Sequence, residues 1–140
     1  MTKGDLYKSL KDDHDNVKEL FKETVENGNF ETFPTLKKKL EVHMTGEESV
    51  LYPAMEFVDK KMIDKNQYEH DLAWNKLIYL DNTPTDDPEW ILNLKELKDL
   101  IEEHVDREEK ELFPEASKVL SEEAEDDMIK IIEETKEEIM

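Results

Sequence analysis

The chain has 140 residues, of which 38 are acidic and 19 basic, for a formal net charge of -19. This length supports one domain over residues 1–140, and the acidic excess argues against nucleic acid and against anionic membrane surfaces as partners. There is no cysteine, which excludes disulfides, thiolate catalysis, Cys-ligated zinc and iron–sulfur clusters. The longest stretch without a charge runs only from Ser49 to Met55, so no bilayer-spanning segment is read. The N-terminal MTKGDLYKSLKDD has no apolar stretch, so no secretory leader is read and a cytoplasmic location is expected.

With only 3 Gly and 5 Pro among many Leu, Lys and Glu, the expected fold is all-α. A first helix begins near Asp5 and stops at Asn27-Gly28-Asn29. Pro34 suits the first turn of a second helix, which Pro53 should kink or end. Asp64 is a candidate N-cap for a third helix reaching about Leu80, and the polar Asp81–Asp87 loop leads to a fourth at Pro88, which meets Pro114. Ser121 caps a last helix, about 121–138, with Ala124, Met128, Ile131, Ile132 and Ile139 as its apolar stripe and a solvated Glu/Lys-rich face. Four long helices with short connections, over about 5–114, read as an up-down-up-down four-helix bundle with an additional C-terminal helix.

Histidines lie within the apolar stripes. His14 shares a face with Leu10, Val17 and Phe21, and His43 with Leu40, Met44 and Glu47. His70 is in line with Ile63 and Leu77, and His104 with Leu97, Ile101 and Glu108. Each long helix therefore offers one inward imidazole. His14 precedes the first turn by as many residues as His43 follows it, which puts both at one level of adjacent antiparallel helices. The longer second loop blurs the same count for His70 and His104.

The chain also repeats itself. The segment from His43 through Glu47, Glu48, Leu51 and Tyr52 to Pro53 matches that from His104 through Glu108, Glu109, Leu112 and Phe113 to Pro114. His14-Asp15 is likewise echoed by His70-Asp71. Two related hairpins facing each other would build a pseudo-two-fold site. A His and a Glu four residues apart project from one helix face toward one point. Burying Glu47 and Glu108 as ions costs several kcal/mol unless a cation or hydrogen bonds compensate. Two divalent metals would do so, and a sulfur-free donor set suits iron or manganese, with zinc also compatible. Glu48 and Glu109 read either as acceptors for imidazole N–H groups or as surface residues, as do Asp15 and Asp71. Tyr52, Phe113 and Trp74 read as packing residues. Gly46, beside Glu47, either leaves room next to the metals or marks a simple kink.

These motifs, H14-D15, H43xxxE47-E48xxLYP, H70-D71 and H104xxxE108-E109xxLFP, resemble those of the hemerythrin-like, or HHE cation-binding, family of non-haem di-iron proteins over roughly residues 5–120. The resemblance implies a centre of two Fe ions with an oxo or hydroxo bridge, Mn or Zn being secondary choices. It implies His14, His43, His70 and His104 as terminal ligands and Glu47 and Glu108 as bridging carboxylates. Oxygen-carrying members place five histidines on the irons, with an HxxxH pair on the third helix. Here the positions four residues either side of His70 are Asn66 and Trp74. The four-His, two-Glu set resembles the branch holding iron-centre repair, iron-sensing and peroxide-handling members. The expected function is binding of O2 or a related small ligand, for sensing or storage, more than dedicated enzymatic turnover. The alternatives are a di-iron enzyme acting on peroxide or nitric oxide, and an iron donor. Oligomeric state is not legible.

Overall fold

The computed structural model describes residues 5–139, the side chain of Ile139 excepted. That residue's expected place in the apolar stripe, and the first four residues of the N-terminal segment, lie outside the described residues. Every regular element among the described residues is helical: α1 Asp5–Phe21, α2 Phe33–Gly46, α3 Tyr52–Met55, α4 Lys60–Asp81, α5 Pro88–Arg107, α6 Phe113–Val119 and α7 Glu122–Ile139. The long helices α1, α2, α4 and α5 form the four-helix bundle, with α1 against α2, α4 against α5, and α7 laid across α1 and α2. No helix among the described residues is long and apolar enough to cross a membrane.

The boundaries follow local chemistry. Gly28, at φ +68°, takes the left-handed turn between α1 and α2, a conformation that costs glycine little. Asp87 caps α5 by accepting from the Glu89 N–H at 2.9 Å, and Ser121 Oγ accepts from Ala124 N–H at 3.1 Å to start α7. The expected cap of the third helix is corrected. Asp59, not Asp64, accepts from the Met62 N–H at 3.1 Å. Its extended backbone can cap, whereas Asp64 is already one turn inside and pairs with Lys60.

Neither Pro53 nor Pro114 ends its helix. Each is preceded by a five-residue π turn, Glu47–Leu51 and Glu108–Leu112, after which α3 and α6 continue. A proline ring clashes with the carbonyl four residues back, and one extra residue in the turn relieves that clash. It also shifts the inward phase, so that the consecutive pairs Leu51-Tyr52 and Leu112-Phe113 are all buried.

The core divides into two apolar clusters. One holds Phe21, Leu36, Leu40, Leu77, Trp90 and Leu97 with their neighbours, and the other holds Leu6, Leu10, Leu51, Leu112, Phe113 and Ile129 with theirs. In α1, Leu6 and Leu10 belong to the second cluster, Val17 and Phe21 to the first, and His14 lies between. α4 changes cluster around His70 in the same way, from Ile63 to Ala73 and Leu77, whereas α2 and α5 stay in the first cluster through Met44 and Val105, just past their histidines, and the chain enters the second only at Leu51 and Leu112. The bundle thus carries one polar layer at mid-height, sealed above and below by packed hydrocarbon.

The stripe of α7 is also corrected. Its inner face is Glu125, Met128, Ile129 and Ile132, while Ile131 is 43% exposed. Spacing of three, four and seven residues favours Ile129 over Ile131 once Met128 and Ile132 are fixed inward. Gly46 leaves room for this helix rather than for the site, since a Cβ added there would lie 3.3 Å from Ile132 Cγ1.

Candidate metal centre

All four histidines and both repeat glutamates sit in the mid-bundle layer, none more than 6% exposed. His14 and His43 bring their Nε2 atoms to 2.9 Å, and His70 and His104 bring theirs to 3.1 Å. The level that α1 and α2 share was countable from sequence; the His70–His104 pairing was not. Glu47 Oε1 lies 3.2 Å from His43 Nε2 and 3.3 Å from His70 Nε2, so it faces both pairs. Glu108 splits its oxygens, with Oε1 3.4 Å from His14 Nε2 and Oε2 3.4 Å from His104 Nε2. Two overlapping groups could each hold a metal ion: His14, His43, Glu47 and Glu108, and Glu47, His70, His104 and Glu108. Both carboxylates belong to both groups.

Three of the four outer nitrogens are hydrogen-bonded from outside. His14 Nδ1 is 2.7 Å from Glu109 Oε2, His70 Nδ1 3.0 Å from Glu48 Oε2, and His104 Nδ1 2.8 Å from Glu69 Oε1. His43 Nδ1 faces Asp13 Oδ2 at 3.5 Å without a hydrogen bond. A carboxylate on Nδ1 fixes the proton there and leaves the Nε2 lone pair aimed inward. Of the two readings of Glu48 and Glu109, the imidazole-acceptor one is therefore the geometry found, whereas Asp15 and Asp71 are exposed. Sequence reasoning missed Asp13 and Glu69. Their signal was the residue directly before each echoed histidine, an acid in both halves. The pattern is reciprocal: Asp13 and Glu69 serve the second histidine of their own hairpin, while Glu48 and Glu109 reach the first histidine of the other.

Tyr52 is a correction, because its hydroxyl is a polar member of the layer. It donates to Glu108 Oε2 at 2.5 Å and stands 3.0 Å from His70 Nε2. Burial, with the Glu108 and Glu47 carboxylates, pushes this phenol well above its ordinary range. Trp74 also does more than pack: its Nε1–H donates to Glu48 Oε2 at 3.1 Å, while Gln67 donates to Glu48 Oε1 at 2.9 Å. Phe113, the repeat counterpart of Tyr52, packs as expected, stacked on His14 with centroids 5.7 Å apart.

The electrostatics fit a cationic occupant. Burial opposes charge on Glu47 and Glu108, yet the facing imidazoles hold both carboxyls below the usual range. Burial likewise opposes charge on His43, but Glu47 and Asp13 raise it to about 10. His43 and the two buried carboxylates thus favour each other's charged forms. Both oxygens of Glu47 and Oε1 of Glu108 still have no hydrogen-bond partner. Six carboxylates stand in or around the layer (Asp13, Glu47, Glu48, Glu69, Glu108, Glu109), and the cationic side chains paired with them are Lys136 on Asp13 and Arg107 on Glu69. With neutral imidazoles, four negative charges remain, the charge that two divalent cations supply. Imidazole and carboxylate donors without thiolate suit iron or manganese.

Comparison with known proteins agrees with this layout. The family model described as the hemerythrin HHE cation binding domain matches residues 5–116. An uncharacterized hemerythrin-like protein of Schizosaccharomyces pombe is 34% identical over 98 residues, which is 67% of this chain and 48% of that protein. The chain therefore spans about half the length of that relative. The crystal structure of a hemerythrin HHE cation binding domain-containing protein from Mycobacterium kansasii superposes with a TM-score of 0.80 at 24% identity, over 99% of this chain and 90% of that one, a likeness of fold. With the family's model matching from the start of α1 into α6, across the whole layer of histidines and glutamates, the chain belongs to the hemerythrin HHE cation-binding family.

Proposed function

We propose that the layer holds two iron ions, one on His14 and His43 and the other on His70 and His104, with Glu47 and Glu108 bridging, and that it binds O2 or a related small uncharged ligand. Bound iron would supply the electrons for that ligand's reduction and its open coordination positions. The chain's own part is orientation and exclusion. Asp13, Glu48, Glu69 and Glu109 turn the imidazoles inward, and the two apolar clusters keep bulk water out.

The observation that carries this reading is a small void against the imidazoles. It has a volume of about 10 Å³ and is lined by the four histidines with Val17, Leu40, Met44, Ile101 and Val105. Room for about one water-sized body, with apolar side chains on every wall other than the imidazoles, favours a diatomic or peroxide-sized ligand over a charged or bulky one. Tyr52 supports a second reading, reductive turnover of peroxide. Its hydroxyl holds a proton at Oη inside the layer, which reversible binding does not require.

Anaerobic Fe(II) titration followed by admission and removal of oxygen under a visible spectrum separates these. Two irons per chain and an oxygen-induced band that disappears on degassing support binding. Two irons that oxidise and stay oxidised support the peroxide reading. Failure to take up two irons overturns both.

A further inference from the structure

One buried acid–phenol pair has no part in the chemistry above. Tyr7 of α1 donates to Glu125 Oε2 of α7 at 2.5 Å, with Tyr7 7% and Glu125 2% exposed. An apolar residue at 125 would continue the inner face formed by Met128, Ile129 and Ile132, whereas a buried carboxylate carries a desolvation cost. The pair lies on a line of rings that starts at the candidate centre. Phe113 is stacked on His14 at 5.7 Å and 14°, and Tyr7 follows at 5.6 Å from Phe113. Where the first repeat puts a phenol in the layer, Tyr52, the second puts a phenyl ring, and a phenol comes one ring further out.

We propose that Tyr7 is a redox residue that gives one electron to the centre through Phe113 and His14 while its proton passes to Glu125. The inference rests on the di-iron reading, with hydrogen peroxide as the oxidant. The phenol O–H bond breaks and a carboxylic O–H forms on Glu125 Oε2. A neutral tyrosyl radical remains, and its electron passes by way of the centre to hydrogen peroxide; breaking the O–O bond to give two waters takes two electrons and two protons, so Tyr7 would serve twice per peroxide, with the protons drawn from solvent. A soluble one-electron reductant of the ascorbate class restores Tyr7, and the proton returns from Glu125.

Two physical features favour this step. Losing the electron alone would leave a radical cation, and losing the proton alone would leave a buried phenolate, which burial and the Glu125 charge oppose. A 2.5 Å hydrogen bond lets both leave together with little motion of heavy atoms. Electron tunnelling falls exponentially with distance, and the route has two ring-contact steps in place of one long gap. Met44 gives the relay a use. It lines the void beside the imidazoles, and its thioether is oxidised to sulfoxide by an oxidising equivalent that is not drained away.

The test begins with iron loading, measured as irons per chain. Failure to load overturns the di-iron reading and this inference with it; the remaining outcomes bear on the inference alone. Loaded protein is mixed with hydrogen peroxide, frozen and examined by electron paramagnetic resonance, with ring-deuterated tyrosine identifying a tyrosyl signal. The signal is expected in the wild type and in Tyr68→Phe and Tyr79→Phe. It should be lost in Tyr7→Phe and reduced in Glu125→Gln, which can accept a hydrogen bond but not the proton. Peptide mass spectrometry should find more Met44 sulfoxide in Tyr7→Phe than in wild type. Tyr7→Phe removes only a hydroxyl, and unchanged circular dichroism with two irons bound shows that the fold is kept. A loaded wild type without a tyrosyl signal, a full signal in Tyr7→Phe, or unchanged Met44 oxidation overturns the proposal.

Discussion

The two hairpins repeat the same residues, yet they hold their histidines differently. In the second pair, His70 rests on a Glu48 that also accepts from Gln67 and Trp74, and His104 rests on a Glu69 paired with Arg107. Tyr52 adds its hydroxyl to the same side. In the first pair, Glu109 reaches His14 directly, but Asp13 stands 3.5 Å from His43 and is itself held by Lys136 of α7 at 3.0 Å. One pair is braced within the bundle; the other depends partly on an appended helix. The repeat therefore keeps the inner donors and an acid behind each imidazole, while the groups that brace those acids differ, and this bracing decides how firmly each imidazole is aimed.

The largest expected effect removes the comparison altogether. Glu47→Ala or Glu108→Ala should abolish two-metal binding while leaving helical content largely intact, because each carboxylate faces both pairs. Retention of two tightly held irons in either variant, read by metal analysis beside circular dichroism, would remove the bridging assignment.

The outer carboxylates sharpen the comparison. Glu48→Ala should weaken metal binding by about 10–100-fold, the usual cost of losing a support for a ligating histidine. Asp13→Ala should cost less than about tenfold, since its contact with His43 is long. Competition with a chelator of known affinity measures both, and equal losses would erase the asymmetry.

Lys136→Ala should have a smaller effect. The Lys136–Asp13 pair is partly exposed, so its contribution to stability lies within about 0–1 kcal/mol. Loss of the metal on the His14–His43 side should nonetheless speed up a few-fold in stopped-flow chelation, with the other metal unaffected. Acceleration of both metals alike would place α7's influence on the bundle rather than on His43.

Acidity provides the subtlest comparison. In metal-free protein the folded state raises His43 from 6.5 to about 10. That stabilisation is full below about pH 6.5 and is lost as pH rises through about 10. Glu108, held below 4.5, stabilises above that value and loses its contribution as pH falls through its folded value. The melting temperature of metal-free protein should therefore decline on the alkaline side. Metal-loaded protein should instead gain stability from pH 5 toward 7, because metal binding requires deprotonated ligands and so releases protons. Thermal melts with and without a chelator give the two slopes, and parallel slopes would contradict metal binding in competition with protons at His43.

Much of this was legible in the sequence because it is periodic. The inward faces of α1, α2, α4 and α5, the common level of His14 and His43, and the repeat that places Glu47 and Glu108 all follow from helical spacing along one chain. The Ser121 cap of α7 was equally local. Asp59 and Asp87 were not identified as caps, and in α7 the choice between Ile129 and Ile131 turned on packing against α1 and α2.

What the tertiary structure alone decided is which carboxylate meets which imidazole. Glu48 reaches His70 and Glu109 reaches His14 across the interface between hairpins, because each follows a core position at the start of a π turn whose extra residue resets the helix phase. That same phase brings the Tyr52 hydroxyl to Glu108 and stacks Phe113 on His14. Sequence spacing specifies direction around one helix axis. The distance between side chains on different helices depends on their relative rotation and height, which only the packed bundle fixes.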